Sequence, residues 1–202
     1  MLIIGISGQA GAGKSTLAQM LSDRGLGENL EVDAIGHELL DNARVKKALE
    51  AAFGSDIFDL SGQICRRSLG RKAFCNKEAT ERLNAIMHPA MIEAVRMRVD
   101  QASKNGQNAI IVNAALLFAM GLDCLCNRLV YVIADPEIRL RRLVDYRHWA
   151  EDSARERLFA QDPLPSTKEV IRVENNGSER DLAMAADMLV KRLNMTAPKE
   201  IT

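Results

Sequence analysis

The chain has 202 residues, of which 47% are hydrophobic and 27% charged, a composition that excludes a disordered, collagenous or low-complexity polypeptide and suffices for one domain with a real core. Its 27 Lys and Arg balance 27 Asp and Glu, and aromatic residues are only 4%, so neither a global positive field nor stacking platforms favour nucleic acid as a partner. A membrane is not expected either: the longest apolar run, around Ala109 to Met120, is broken by Asn113 and falls short of the roughly 18 residues of a span.

The opening Met1-Leu2-Ile3-Ile4-Gly5 lacks the charged and long apolar regions of a secretory leader, so a cytoplasmic chain with reduced cysteines is expected. Leu2 to Ser7 is nearly all apolar, as befits the central strand of a parallel sheet. Gly8-Gln9-Ala10-Gly11-Ala12-Gly13-Lys14-Ser15 follows at once and fits G-x-x-x-x-G-K-[ST] at every defined position, with a helical run beginning at Thr16. Small residues there let successive N–H groups curl around a β-phosphate, and the helix N-terminus adds partial positive charge. Lys14 then reaches the β- and γ-phosphates, and the Ser15 hydroxyl suits Mg²⁺. The alternative is a Gly-rich turn that binds nothing, but both flanks that the motif requires are present.

A second strand is expected at Leu30-Glu31-Val32, with Asp33 at its carboxyl end. A carboxylate there can accept a proton from an acceptor hydroxyl; equally, Asp33 can cap a helix starting near Ala34, and the two roles are compatible. The stretch from about 37 to 106 is too long for one crossover helix and reads as an inserted helical subdomain. Within it Cys65 and Cys75 read as small buried residues, and His88 before Pro89 as a helix-edge histidine. Strands are expected at Ala109–Val112 and Arg128–Ile133, and a weaker one at Val170–Val173. Cys124-Leu125-Cys126 has no zinc-site spacing.

Between the last two strands, Pro136 to Gln161 is polar and helical. Its cluster Arg139, Arg141, Arg142 and Arg147 suits a lid that neutralises phosphoryl charge and excludes water, although a solvated face paired with Asp145, Glu151 and Asp152 has the same composition. His148-Trp149 fits a surface or lid position. The expected architecture is α/β: a P-loop kinase fold with a five-stranded parallel sheet flanked by helices. Its core is 1–36 and 107–202, its helical substrate subdomain about 37–106, and its short lid about 139–161. A regulatory GTPase is excluded. Asp59-Leu60-Ser61-Gly62 mimics a switch segment without a preceding strand, and Asn76-Lys77-Glu78-Ala79 lacks the final Asp that would accept from guanine.

Further segments are specific in combination. Val32-Asp33-Ala34-Ile35-Gly36-His37-Glu38-Leu39-Leu40, Gly62 to Gly70 with Arg66, Leu83-Asn84-Ala85-Ile86-Met87-His88-Pro89, Leu116-Leu117-Phe118 and Asn175-Asn176-Gly177-Ser178 occur in the order in which dephospho-coenzyme A kinases carry similar segments. The chain resembles that family from residue 2 to about 190. The resemblance implies transfer of the γ-phosphoryl group of ATP, with Mg²⁺, to the ribose 3′-hydroxyl of dephospho-coenzyme A. It implies Asp33, Lys14 and Arg142 as catalytic residues. Gly11, Ala12, Gly13, Lys14, Ser15, Thr16, Arg142 and Asn175 would hold ATP, Asp33, Arg66 and His88 the acceptor, and Ser15 the metal. A monomer or weak homo-oligomer is expected.

The departures are local. The family's Asp-Ala-Asp is Glu31-Val32-Asp33 here, the Asp before its arginine is Cys65, and its Asp-Val-Pro-Leu-Leu-Phe-Glu is Asn113-Ala114-Ala115-Leu116-Leu117-Phe118-Ala119. An Ala-Asp pair before the late strand is absent near Glu169-Val170, and Arg147 falls one position after the family's second arginine. These leave open a kinase for another nucleotide or small alcohol, or a nucleotide-binding homologue with impaired catalysis.

Overall fold

A computed structural model describes residues 1–146, 149–159 and 169–195. Arg147, His148 and Gln161 lie outside the described residues. Five parallel strands form one sheet in the order β2-β3-β1-β4-β5. They are β1 (Leu2–Gly8), β2 (Glu28–Glu31), β3 (Ala109–Asn113), β4 (Arg128–Ile133) and β5 (Ile171–Glu174). The near-continuous apolar run of β1 has its cause here: the strand is central, paired with β3 on one side and β4 on the other, and buried from Ile4 to Gly8.

The chain divides into two compact units, Met1–Glu31 with Gln101–Thr202 and Val32–Asp100. In the first, helix α1 (Lys14–Asp23) buries Leu17, Ala18 and Leu21, and the helix after β5, Glu179–Met195, buries Leu182, Ala186, Leu189 and Leu193. The second set recurs every three or four residues and makes one apolar face. Both faces join Ile4, Ile6, Val130 and Val132 in one core, each fully buried Leu or Ile contributing about 1.5–3 kcal/mol.

Four of the five strands differ from expectation at their boundaries by one or two residues, and the shifts in β2 and β5 have identifiable causes. The second strand ends at Glu31, opposite the last residue of β3, and Val32 turns inward, fully buried, as the first residue of α2 (Val32–Leu39). Asp33 is therefore not at a strand end and not an N-cap; it lies exposed in the first turn of α2. The fifth strand is Ile171–Glu174, because pairing with β4 starts at Ile171 opposite Val130.

The unit Val32–Asp100 holds α2, α3 (Ala43–Phe53), α4 (Arg66–Ala73) and most of α5 (Lys77–Lys104). Its core joins Val45, Leu49, Phe53, Ile57, Leu69, Ala73, Ala79 and Met87. Helix α3 starts where Asn42 Oδ1 accepts from the amides of Arg44 at 2.9 Å and Val45 at 3.3 Å. Two expectations fail in this unit. His88 and Pro89 are inside α5, not at a helix edge. Cys75 is exposed and Cys65 only half-buried; Cys75 follows the exposed C-cap of α4, Phe74, and its Sγ donates to the Lys72 carbonyl at 3.1 Å instead of entering the core.

After β4, the basic segment forms α6 (Pro136–Asp145) and α7 (Glu151–Phe159), and Glu179–Met195 is α8. Among the described residues no helix is long and apolar enough to cross a membrane.

Candidate active site

The loop between β1 and α1 lies at the carboxyl edge of the sheet, where open parallel sheets present their ligand crevice. Two glycines are dictated by sterics. Gly11 has φ +75°, and a Cβ there would lie 2.7 Å from the Arg139 carbonyl oxygen; Gly13 has φ +92°, and a Cβ would lie 2.4 Å from Asn175 Nδ2. Gly13 is also the N-cap of α1 and offers that helix end no side-chain oxygen, so the positive pole of α1 faces the loop. Ala12 is buried, Gly11, Gly13, Lys14 and Ser15 are half-buried, and Thr16 is exposed.

Four polar side chains from three elements meet beside this loop. Lys14 Nζ donates to Asn113 Oδ1 at 2.9 Å and approaches Ser15 Oγ at 3.5 Å, while Ser15 Oγ donates to Glu31 Oε1 at 3.2 Å. Strand register brings them together, since Asn113, the last residue of β3, is opposite Glu31, the last residue of β2. Sequence reasoning gave Glu31 no role and read Asn113 as a lost family carboxylate. The clue for both was their place at strand ends beside the phosphate loop.

Asn175, directly after β5, ties α6 to the loop. It is buried, its Nδ2 donates to the Ala12 carbonyl at 2.8 Å, and its own carbonyl accepts from Arg142 Nη1 at 3.0 Å. Arg142 Nη2 also reaches Asn175 Oδ1 at 3.5 Å and the Gly177 carbonyl at 3.4 Å. The guanidinium is thus docked on the β5–α8 loop. The other arginines of α6 face elsewhere: Arg141 is exposed, whereas Arg139 is buried, contrary to a solvated face. Burial works against the Arg139 charge and holds the phenol of nearby Tyr131 above its ordinary range.

The three acceptor-side residues expected from the sequence belong to the unit Val32–Asp100. Asp33 and Arg66 are exposed, Arg66 as the first residue of α4. Among the described residues Arg66 has no ion pair. Cys65 precedes it as the N-cap, its thiol held below its ordinary value chiefly by the Ser68 hydroxyl and then by the Ser68 amide. His88 is half-buried, and burial pushes its imidazole below the usual histidine value. Glu38 of α2 pairs with Arg98 of α5.

A family model described as dephospho-CoA kinase matches residues 2–180. A dephospho-CoA kinase of Corynebacterium glutamicum is 36% identical over 196 residues, covering 96% of this chain and 98% of that one. Among solved structures, a Thermus thermophilus protein is similar with a TM-score of 0.75 and 28% identity, over 95% of this chain and 97% of the other. Dephospho-CoA kinase from Campylobacter jejuni shares the fold, with a TM-score of 0.68 and 20% identity over 96% and 97% of the two chains.

Proposed function

The chain belongs to the dephospho-CoA kinase family, and from that premise we propose how its residues divide the work of phosphoryl transfer. It is a phosphotransferase acting on dephospho-CoA, and coenzyme A formation, the last step of that biosynthesis, is its reaction. The proposed donor is ATP with Mg²⁺, and the proposed acceptor atom is the ribose 3′-hydroxyl oxygen. The enzyme is proposed to be cytoplasmic, as a monomer or weak homo-oligomer.

The observation that carries the reading is the array of Lys14, Ser15, Glu31 and Asn113 around the phosphate loop. Ser15 Oγ and Glu31 Oε1 are hard oxygen donors of the kind Mg²⁺ takes, few enough to leave most of its shell to phosphates and water; these two residues would hold the metal. When bound, the metal neutralises charge on the β- and γ-phosphate oxygens. Backbone N–H groups from Gly11 to Thr16 bind the phosphates, and Lys14 lies against the transferring group. Arg142 and Asn175 hold the nucleotide side of the loop. Asp33 takes the hydroxyl proton as the oxygen attacks in line, and Arg66 and His88 bind the acceptor. Transition-state charge is spread over the transferred oxygens, so fixed positive charge around them is the main source of rate.

The test is a coupled ADP-release assay with ATP and Mg²⁺ in which dephospho-CoA competes with AMP, uridine and shikimate, with coenzyme A identified by mass. Coenzyme A as the dominant product is expected. ADP release with another acceptor, or only slow hydrolysis, would overturn the acceptor assignment.

A further inference from the structure

Asn113 is only 1% exposed, yet its Nδ2 has no hydrogen-bond partner among the described residues. Its orientation is fixed by chemistry. The Lys14 ammonium carries only donors, so the Asn113 atom at 2.9 Å from Nζ is the oxygen, and the NH₂ group is directed away from that contact. A buried donor without a protein partner is costly and is kept where another molecule supplies the acceptor. The residue ends β3, level with Glu31 of β2 and Ile6 of β1, at the edge of the sheet that carries the phosphate loop.

We infer that Asn113 is a donor-binding residue: Oδ1 holds Lys14 in place, and Nδ2 donates to a non-bridging oxygen of the terminal phosphates of the bound nucleoside triphosphate. An anionic oxygen drawn to Lys14 arrives beside the amide that Lys14 already touches, and it accepts where the amide can only donate. A carboxylate at the same place would reverse this. Both of its oxygens accept, it would offset the Lys14 charge, and its productive neighbour would be a proton donor such as metal-bound water. With the amide, the loop carries one more net positive charge and binds the polyphosphate with less help from a cation.

The inference rests on the reading of this loop as a triphosphate site, and calorimetry separates the two. Titration of ATP in EDTA into wild type and into Asn113→Asp should give an affinity at least about tenfold lower in the variant, with the gap narrowing when Mg²⁺ is added. The apo variant should melt near wild type, because the stronger pairing with Lys14 offsets the second, unpartnered carboxylate oxygen; a residue that served structure alone would not lose binding while keeping stability. In wild type, the Asn113 side-chain amide protons should shift downfield when metal-free ATP saturates the site. A folded Asn113→Asp chain that binds metal-free ATP as wild type does would overturn the inference, as would unmoved amide resonances in wild type if the variant does not fold. Absence of any ATP binding by wild type would overturn the site reading with it.

Discussion

Gly13→Ala and Gly25→Ala make a matched pair. Both glycines have positive φ, +92° and +76°, so each alanine carries the same left-handed backbone penalty of about 1–2 kcal/mol. Around Gly25, which follows the C-cap of α1, nothing lies within 4 Å of an added Cβ. At Gly13 the methyl would sit 2.4 Å from Asn175 Nδ2, whose bond to the Ala12 carbonyl is buried. Moving Asn175 breaks that bond and adds about 1–3 kcal/mol. With about 2–4 °C of Tm per kcal/mol for a chain of this size, calorimetric melting should place Gly13→Ala clearly below Gly25→Ala. ATP titration should show binding kept in Gly25→Ala and lost by more than tenfold in Gly13→Ala. Equal melting shifts and equal ATP affinity would refute the claim that Asn175 and Gly13 lock the loop together.

Arg142→Ala should lower kcat with little change in Tm, because among the described residues its half-buried guanidinium bonds to loop atoms around Asn175; Arg139→Ala, at a buried position, should lower Tm instead, and steady-state kinetics with melting curves separate the two. Burial lowers the His88 pKa from 6.5, so the folded chain binds that proton less readily than the unfolded one. The resulting stability is complete above about pH 6.5 and is lost as pH falls through that value toward the lower folded pKa. Urea midpoints measured from pH 5 to 8 should fall on the acid side in wild type and fall less in His88→Gln.

The phosphate loop was legible because its demands are local: the glycines, Lys14 and Ser15 are fixed by spacing, and the apolar β1 before them fixes the sheet position. The five-stranded parallel sheet followed from the alternation of short apolar runs with helical segments. Glu31 was not legible. It is an exposed carboxylate on a four-residue strand, and its meeting with Ser15 depends on how β2 registers against β3. Asn113 looked like a loss when compared with a carboxylate, yet it is buried against Lys14. Arg139 and Arg142 are three apart on one helix; the resemblance singled out Arg142, but nothing in the local sequence announces that Arg139 is the buried one. Asp33 was read one structural step too early, because nothing local announces that Val32 leaves the strand and opens α2.

The account turns on Asp33 as the base for the acceptor hydroxyl, and kcat of Asp33→Asn with dephospho-CoA and MgATP tests it most directly. Asn at this first-turn position of α2 forfeits only the helix-dipole interaction, about 0.3–1 kcal/mol, and leaves the phosphate loop intact. The expected result is an unchanged ATP affinity, a Tm within a few degrees of wild type, and kcat reduced by about 10²–10⁴; a folded Asp33→Asn chain that makes coenzyme A at the wild-type rate would contradict it.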